Sequence, residues 1–149
     1  MLIHLYKYSP NIFFTLLLLF PFSSSAQVEF VAKCGASKGN GYFFQDEIFH
    51  PAASEWADDG ISNGKISLVT AGEDLDILFG DALGDNGYGN DGATVILLST
   101  VGDILRVGAF HDNYTDIFSF NMADKEVIWT SHKGGPFSKK VAIYRAECL

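Results

Sequence analysis

Five oxygen-bearing side chains, Asp81, Asp85, Asn86, Asn90 and Asp91, fall within the stretch "GDALGDNGYGNDGAT" at residues 80–94, where intervening glycines would let the backbone curl around an ion. Such a set suits calcium, a hard cation that takes about six to eight oxygen ligands. Within it, "NGYGNDGAT" approximates the repeat G-G-x-G-x-D-x-U-x, with Gly87, Gly89 and Asp91 in place and Asn86 where the first glycine would stand. That repeat works by stacking turns that share ligands, and the chain carries one copy. The D-x-[DN]-x-[DN]-G pattern of the helix-loop-helix calcium site is not met. A connection between two strands accounts for the same composition, because Gly, Asn and Asp tolerate the positive φ of turns. The expectation is therefore a surface hairpin loop with no assigned metal, its five oxygen donors giving at most weak calcium binding, roughly 10⁻⁴–10⁻³ M.

Other reactive groups are scattered. His50, His111 and His132 show neither metal-ligand nor nucleophile-base spacing. Asp74 and Asp76 alternate with Leu75 and Ile77 as on the outer face of a half-buried strand. "SHKGGPFSKK" lacks the spacing and the strand-to-helix setting of a phosphate loop and reads as a hairpin turn. "NYT" at Asn113–Thr115 matches the N-glycosylation pattern. No catalytic residue and no cofactor is assigned, and the expectation is a protein that is not an enzyme.

The elements that position these groups begin after a leader. Residues 1–26 carry Lys7, an apolar run from Ile12 to Phe22 broken by Pro21, and small residues at Ser24 and Ala26, the layout of a cleaved signal peptide. Removing the first 26 of 149 residues leaves 123, one domain at 27–149 with no membrane span. Without Lys7 the basic count falls from 10 to 9 against 18 acidic residues, a formal charge of −9. That balance excludes nucleic acid, whose phosphates need clustered Lys and Arg, and favours cations or a basic protein partner. Cys34 and Cys148, in a chain sent to the periplasm or the extracellular space, are expected to pair. Closing a loop of about 100 residues stabilises by roughly 4–5 kcal/mol in the chain-entropy model.

Short runs of period two, broken by Gly, Asn, Asp or Pro, predict an all-β, single-domain antiparallel barrel or sandwich of about eight to nine short strands, its termini bridged by the disulfide. The strands are "VEFVAKC", "GYFFQ", "KISLVT", "DLDILFG", "ATVILLS", "ILRVGAF", "TDIFSF", "EVIWTS" and "VAIYRAEC". Each cysteine shares the parity of the apolar face of its strand, so the first and last strands are expected to be neighbours. "PAASEWADD" reads as a helical turn capped by Ser54. Tyr42, Phe43, Phe44, Phe49 and Trp56 read as a satellite core.

With Trp56, "DLDILFGDA", "DIFSF", "WTSHKGG" and "KKVAIYRAEC" in view, the chain resembles small secreted proteins of Gram-negative bacteria, a resemblance that carries no activity with it. It is also similar in outline to periplasmic inhibitors of C-type lysozyme, small β-barrels with an early and a terminal cysteine bridged and a W-x-K-G-like turn before the last strand. Trp129, Lys133, Gly134 and Cys148 match that outline, whereas the S-G-x-x-Y loop of those inhibitors is absent, "SNGKIS" standing nearest to it. The expected function is a non-enzymatic secreted or periplasmic binding module, inhibitor-like towards a basic protein, with Trp56, Trp129 and Lys133 as candidate contacts. The alternative is a carrier of a small lipophilic ligand inside an aromatic-lined barrel.

Overall fold

The computed structural model describes residues 27–47, 50–81, 84–136 and 138–149; the leader expected at residues 1–26 lies outside the described residues. The described chain is all-β. Its strands are β1 (Val28–Phe43), β2 (Glu55–Asp59), β3 (Lys65–Ala71), β4 (Asp74–Asp81), β5 (Gly84–Gly87), β6 (Thr94–Val101), β7 (Ile104–His111), β8 (Tyr114–Asn121), β9 (Glu126–Gly135) and β10 (Ser138–Cys148). They form one antiparallel sheet in the order β5-β4-β3-β1-β10-β9-β8-β7-β6, with β2 pairing β1 beyond the end of β3. The sheet curls into a half-barrel, and a short turn at residues 88–93 carries the chain from one edge strand, β5, to the other, β6. Among the described residues no helix is long and apolar enough to cross a membrane.

The first and last strands are neighbours, and Cys34 and Cys148 are direct ladder partners joined by a disulfide across 114 residues of chain. Inside the curl, Leu68, Ile77, Val107, Phe118, Phe120 and Val127 are fully buried. Each contributes roughly 1.5–3 kcal/mol relative to an exposed side chain.

Three sequence expectations require correction. "VEFVAKC" and "GYFFQ" are one strand, because the irregularity between Cys34 and Ser37 shifts the register without ending the ladder with β10. The segment around Ser54 is not helical: residues 55–59 form β2, each paired with β1 from Glu55↔Phe43 to Asp59↔Gly39, and that pairing overrides a weak local cap. The aromatic group around Tyr42 is not a satellite core. Tyr42 and Trp56 pair across β1 and β2 with ring centroids 5.3 Å apart, and Trp56 is 70% exposed; Phe49 lies outside the described residues.

Candidate functional site

Cross-strand register arranges the inward side chains of β7 to β10 and β1 in rows along the curl. The first row is Leu105, Phe120, Val127, Ala146 and Ser37, mostly apolar. Next come Val107, Phe118, Trp129 and Tyr144, ending on Gly39. The third row is Ala109, Asp116, Ser131, Ala142 and Gly41, and the fourth is His111, Tyr114, Lys133, Lys140 and Phe43. Polarity therefore rises stepwise from an apolar floor, through stacked aromatics, to a charged rim. Because residues i and i+2 share a face, this gradient is written in each strand at alternate positions.

A cavity of about 250 Å³ opens beside Asp116 and Ser131 of the third row. Its walls include Tyr88, Tyr114, Trp129 and Tyr144. Gly39 is required here: a Cβ would stand 2.7 Å from Cδ1 of Tyr144 and would strike the Ile143 carbonyl. Tyr88 reaches inward from the turn after β5 and meets Phe79, Tyr114 and Phe118 edge-on, at 5.3, 5.6 and 5.7 Å. Asp76 fixes that turn by accepting the Gly89 amide at 3.0 Å, and the close approach leaves no room for a side chain at Gly87, where a Cβ would lie 2.6 Å from Asp76 Oδ2.

Three tyrosine hydroxyls spend their protons on three carboxylates. Tyr88 donates to Asp116 Oδ2 at 2.5 Å, Tyr144 to Asp59 Oδ2 at 2.6 Å and Tyr114 to Asp91 Oδ2 at 2.7 Å. Burial, with the neighbouring carboxylate adding to it, pushes all three phenols well above their ordinary range, so they remain donors. Asp59 also pairs with Lys140. Burial alone would raise the Asp59 carboxyl, but the hydrogen bonds from Lys140 and Tyr144 and the charge of Lys140 outweigh it and hold the group below the usual carboxylate range.

Two polar atoms are left over. Asp116 is 2% exposed and Ser131 1%, yet Asp116 Oδ1 and Ser131 Oγ have no hydrogen-bond partner among the described residues. They are ladder partners across β8 and β9, and both line the cavity. A buried polar group without a partner costs roughly 1–3 kcal/mol, and native structures keep few of them.

The sequence candidates separate accordingly. Trp129 and Lys133 line the cavity, whereas Trp56 stands outside on the outer face. Of the suspected calcium ligands, Asp81 and Asp91 line the cavity, Asp85 and Asn86 lie on β5, and Asn90 is exposed in the turn. Asn86 Oδ1 accepts the Gly87 amide, and among the described residues no group of three or more His, Cys, Asp or Glu side chains could hold a metal. Nor is the stretch a plain hairpin loop between "DLDILFG" and "ATVILLS". It forms β5 and then delivers Tyr88 to the interior, with β4 and β6 on separate arms of the sheet. His111 stacks on Tyr114 at 4.8 Å, and His50 Nδ1 lies 3.2 Å from Glu55. Asp116, Ser131, Asp59, Tyr88 and Tyr144 were not among the sequence candidates. The available signal was parity: in "YTDIFSF" Asp116 falls on the face of Phe118 and Phe120, and in "VIWTS" Ser131 falls on the face of Val127 and Trp129. Comparison of the chain with protein-family models, with curated proteins and with solved structures finds no match, so the candidate site stands on its own geometry.

Proposed function

We propose that the chain is a non-catalytic binding module whose half-barrel holds a small polar ligand in the cavity beside Asp116 and Ser131. One observation carries this reading: two buried residues that each keep an oxygen without a hydrogen-bond partner line a space large enough for a small molecule. At about 250 Å³ the cavity lies just below the roughly 300–1,000 Å³ of drug-sized sites, which sets the scale of the ligand. Four aspartates, at 59, 81, 91 and 116, among the lining residues count against a lipophilic cargo. The disulfide supports an oxidising compartment, periplasmic or extracellular, for the mature chain. Thermal-shift screening against small polar metabolites tests the proposal, with Ser131→Leu as the comparison because it puts a bulkier side chain into the cavity. Ligands that raise the melting temperature of the native chain and not that of folded Ser131→Leu support it. No such ligand at millimolar concentration overturns it.

A second reading, docking of a basic protein in the manner of a lysozyme inhibitor, is favoured by one observation. Trp56 is 70% exposed beside Tyr42, whose ring also meets Phe44, on a chain of formal charge −8. Electrostatic steering predicts that association with such a partner slows as salt rises. A rate indifferent to salt argues against it.

A further inference from the structure

We infer that the cavity selects a cationic nitrogen group, an ammonium or a guanidinium, and seats it against Asp116 Oδ1 and Ser131 Oγ. The inference rests on the cavity being a ligand site and adds the chemistry of the ligand. It follows first from the donor and acceptor inventory. The hydroxyl protons of Tyr88, Tyr114 and Tyr144 are committed to Asp116, Asp91 and Asp59. The two lining residues that keep an unpartnered atom offer a carboxylate oxygen, which only accepts, and a serine hydroxyl, which can accept or donate. The ligand must therefore bring donors.

Charge then distinguishes a cationic donor from a neutral one. The lining residues include four aspartates, at 59, 81, 91 and 116, against two lysines, at 133 and 140. Lys140 is spent on Asp59, which leaves Asp91 and Asp116 against Lys133. A carboxylate that is 98% shielded from solvent attracts a cation far more strongly than the same group in water, because little dielectric screening separates them. The aromatic walls fit the methylene or planar part of such a ligand. A hydrogen bond between ammonium or guanidinium and carboxylate is about twice as strong as a neutral one.

The cationic group could belong to a free amine or to a lysine or arginine side chain of a polypeptide, so the experiment uses both. The oxidised mature protein is titrated calorimetrically with putrescine, agmatine and a blocked tetralysine peptide. 1,4-Butanediol serves as a neutral counterpart of putrescine and succinate as an anionic one. The expected result is binding of at least one cation, at least tenfold tighter than butanediol, and no binding of succinate. Binding of putrescine or agmatine alone identifies a free amine, and binding of the peptide alone identifies a side chain. Asp116→Asn is expected to weaken binding at least tenfold and Ser131→Ala several-fold. Asp103→Asn, which removes the same charge from an exposed turn, is expected to leave it unchanged. Should Asp116→Asn fail to fold, Ser131→Ala carries the test, since it deletes a hydroxyl that has no partner. Equal affinity for butanediol and putrescine overturns the cation inference and leaves the binding module standing. Equal weakening by Asp103→Asn and Asp116→Asn also overturns it, since the attraction is then a surface effect. If none of the probes binds, the inference falls, and the binding module falls with it only where the thermal-shift screen also finds nothing.

Discussion

Removal of the Ser131 hydroxyl should make the ligand-free protein more stable. Ser131 is 1% exposed and its Oγ has no partner, while Asp116 across the strand is bonded to Tyr88 through the other carboxylate oxygen. A buried hydroxyl in that condition costs roughly 1–3 kcal/mol. Ser131→Ala relieves this cost and forfeits the dispersion contacts of one atom, about 0.1–0.2 kcal/mol for each neighbour lost. The net expectation is a gain of about 1 kcal/mol, or a rise of about 3–5 °C in melting temperature for a domain of this size. Urea unfolding measures it: the midpoint should rise with the slope unchanged, since the surface exposed on unfolding is the same. A loss of about 1 kcal/mol or more would refute the reasoning. The hydroxyl would then be satisfied in solution, and the oxygens beside the cavity would not be waiting for a ligand.

Three other perturbations probe the same walls. Gly39→Ala drives a methyl into Tyr144 and the Ile143 carbonyl and should destabilise by about 2–3 kcal/mol in the same urea assay. Asp59 contributes stability that is complete above its unfolded pKa near 3.9 and is lost as pH falls through its lower folded value; Asp59→Asn should flatten that acid limb in unfolding curves recorded from pH 6 downward. The raised phenols of Tyr88, Tyr114 and Tyr144 contribute stability below pH 10 that is lost as pH rises towards their folded values. Phenolate absorbance from these three tyrosines should therefore appear only when the protein unfolds in alkali, and their ionisation in the folded protein near pH 10 would contradict the buried hydrogen bonds.

Period-two alternation is a strong signal where one face of a strand is buried. That is why the all-β class, most strands and the cysteine pairing were legible before the fold was known. The failures have physical causes. β2 and β5 are five and four residues long, and their ladders with β1 and β4 outweigh local preference that points to a turn. Asp116 belongs to no local motif, unlike the alternating Asp74 and Asp76 and the acidic loop at residues 80–94. Asp74 is exposed, and Asp76 anchors the turn that carries Tyr88. An acid with the parity of Phe118 and Phe120 is the more informative residue, since a charge on an apolar face must find a partner inside. Asp59 was not recognisable, because its partners Lys140 and Tyr144 are more than 80 residues away and only the β2–β1–β10 pairing brings them together.

The covalent link between the chain ends bears on how fast the protein can fold. β3 to β5 form one meander of local hairpins and β6 to β10 a second, and both can assemble from contacts close in sequence. The β1–β10 ladder joins them, and its partners lie at opposite ends of the chain. It must therefore bear the largest loop-closure entropy, the term that makes long-range strand pairing slow. With Cys34 and Cys148 bonded, the unfolded chain is already a ring and the two strands begin as neighbours. Oxidation thus turns the most remote pairing in the molecule into a local one.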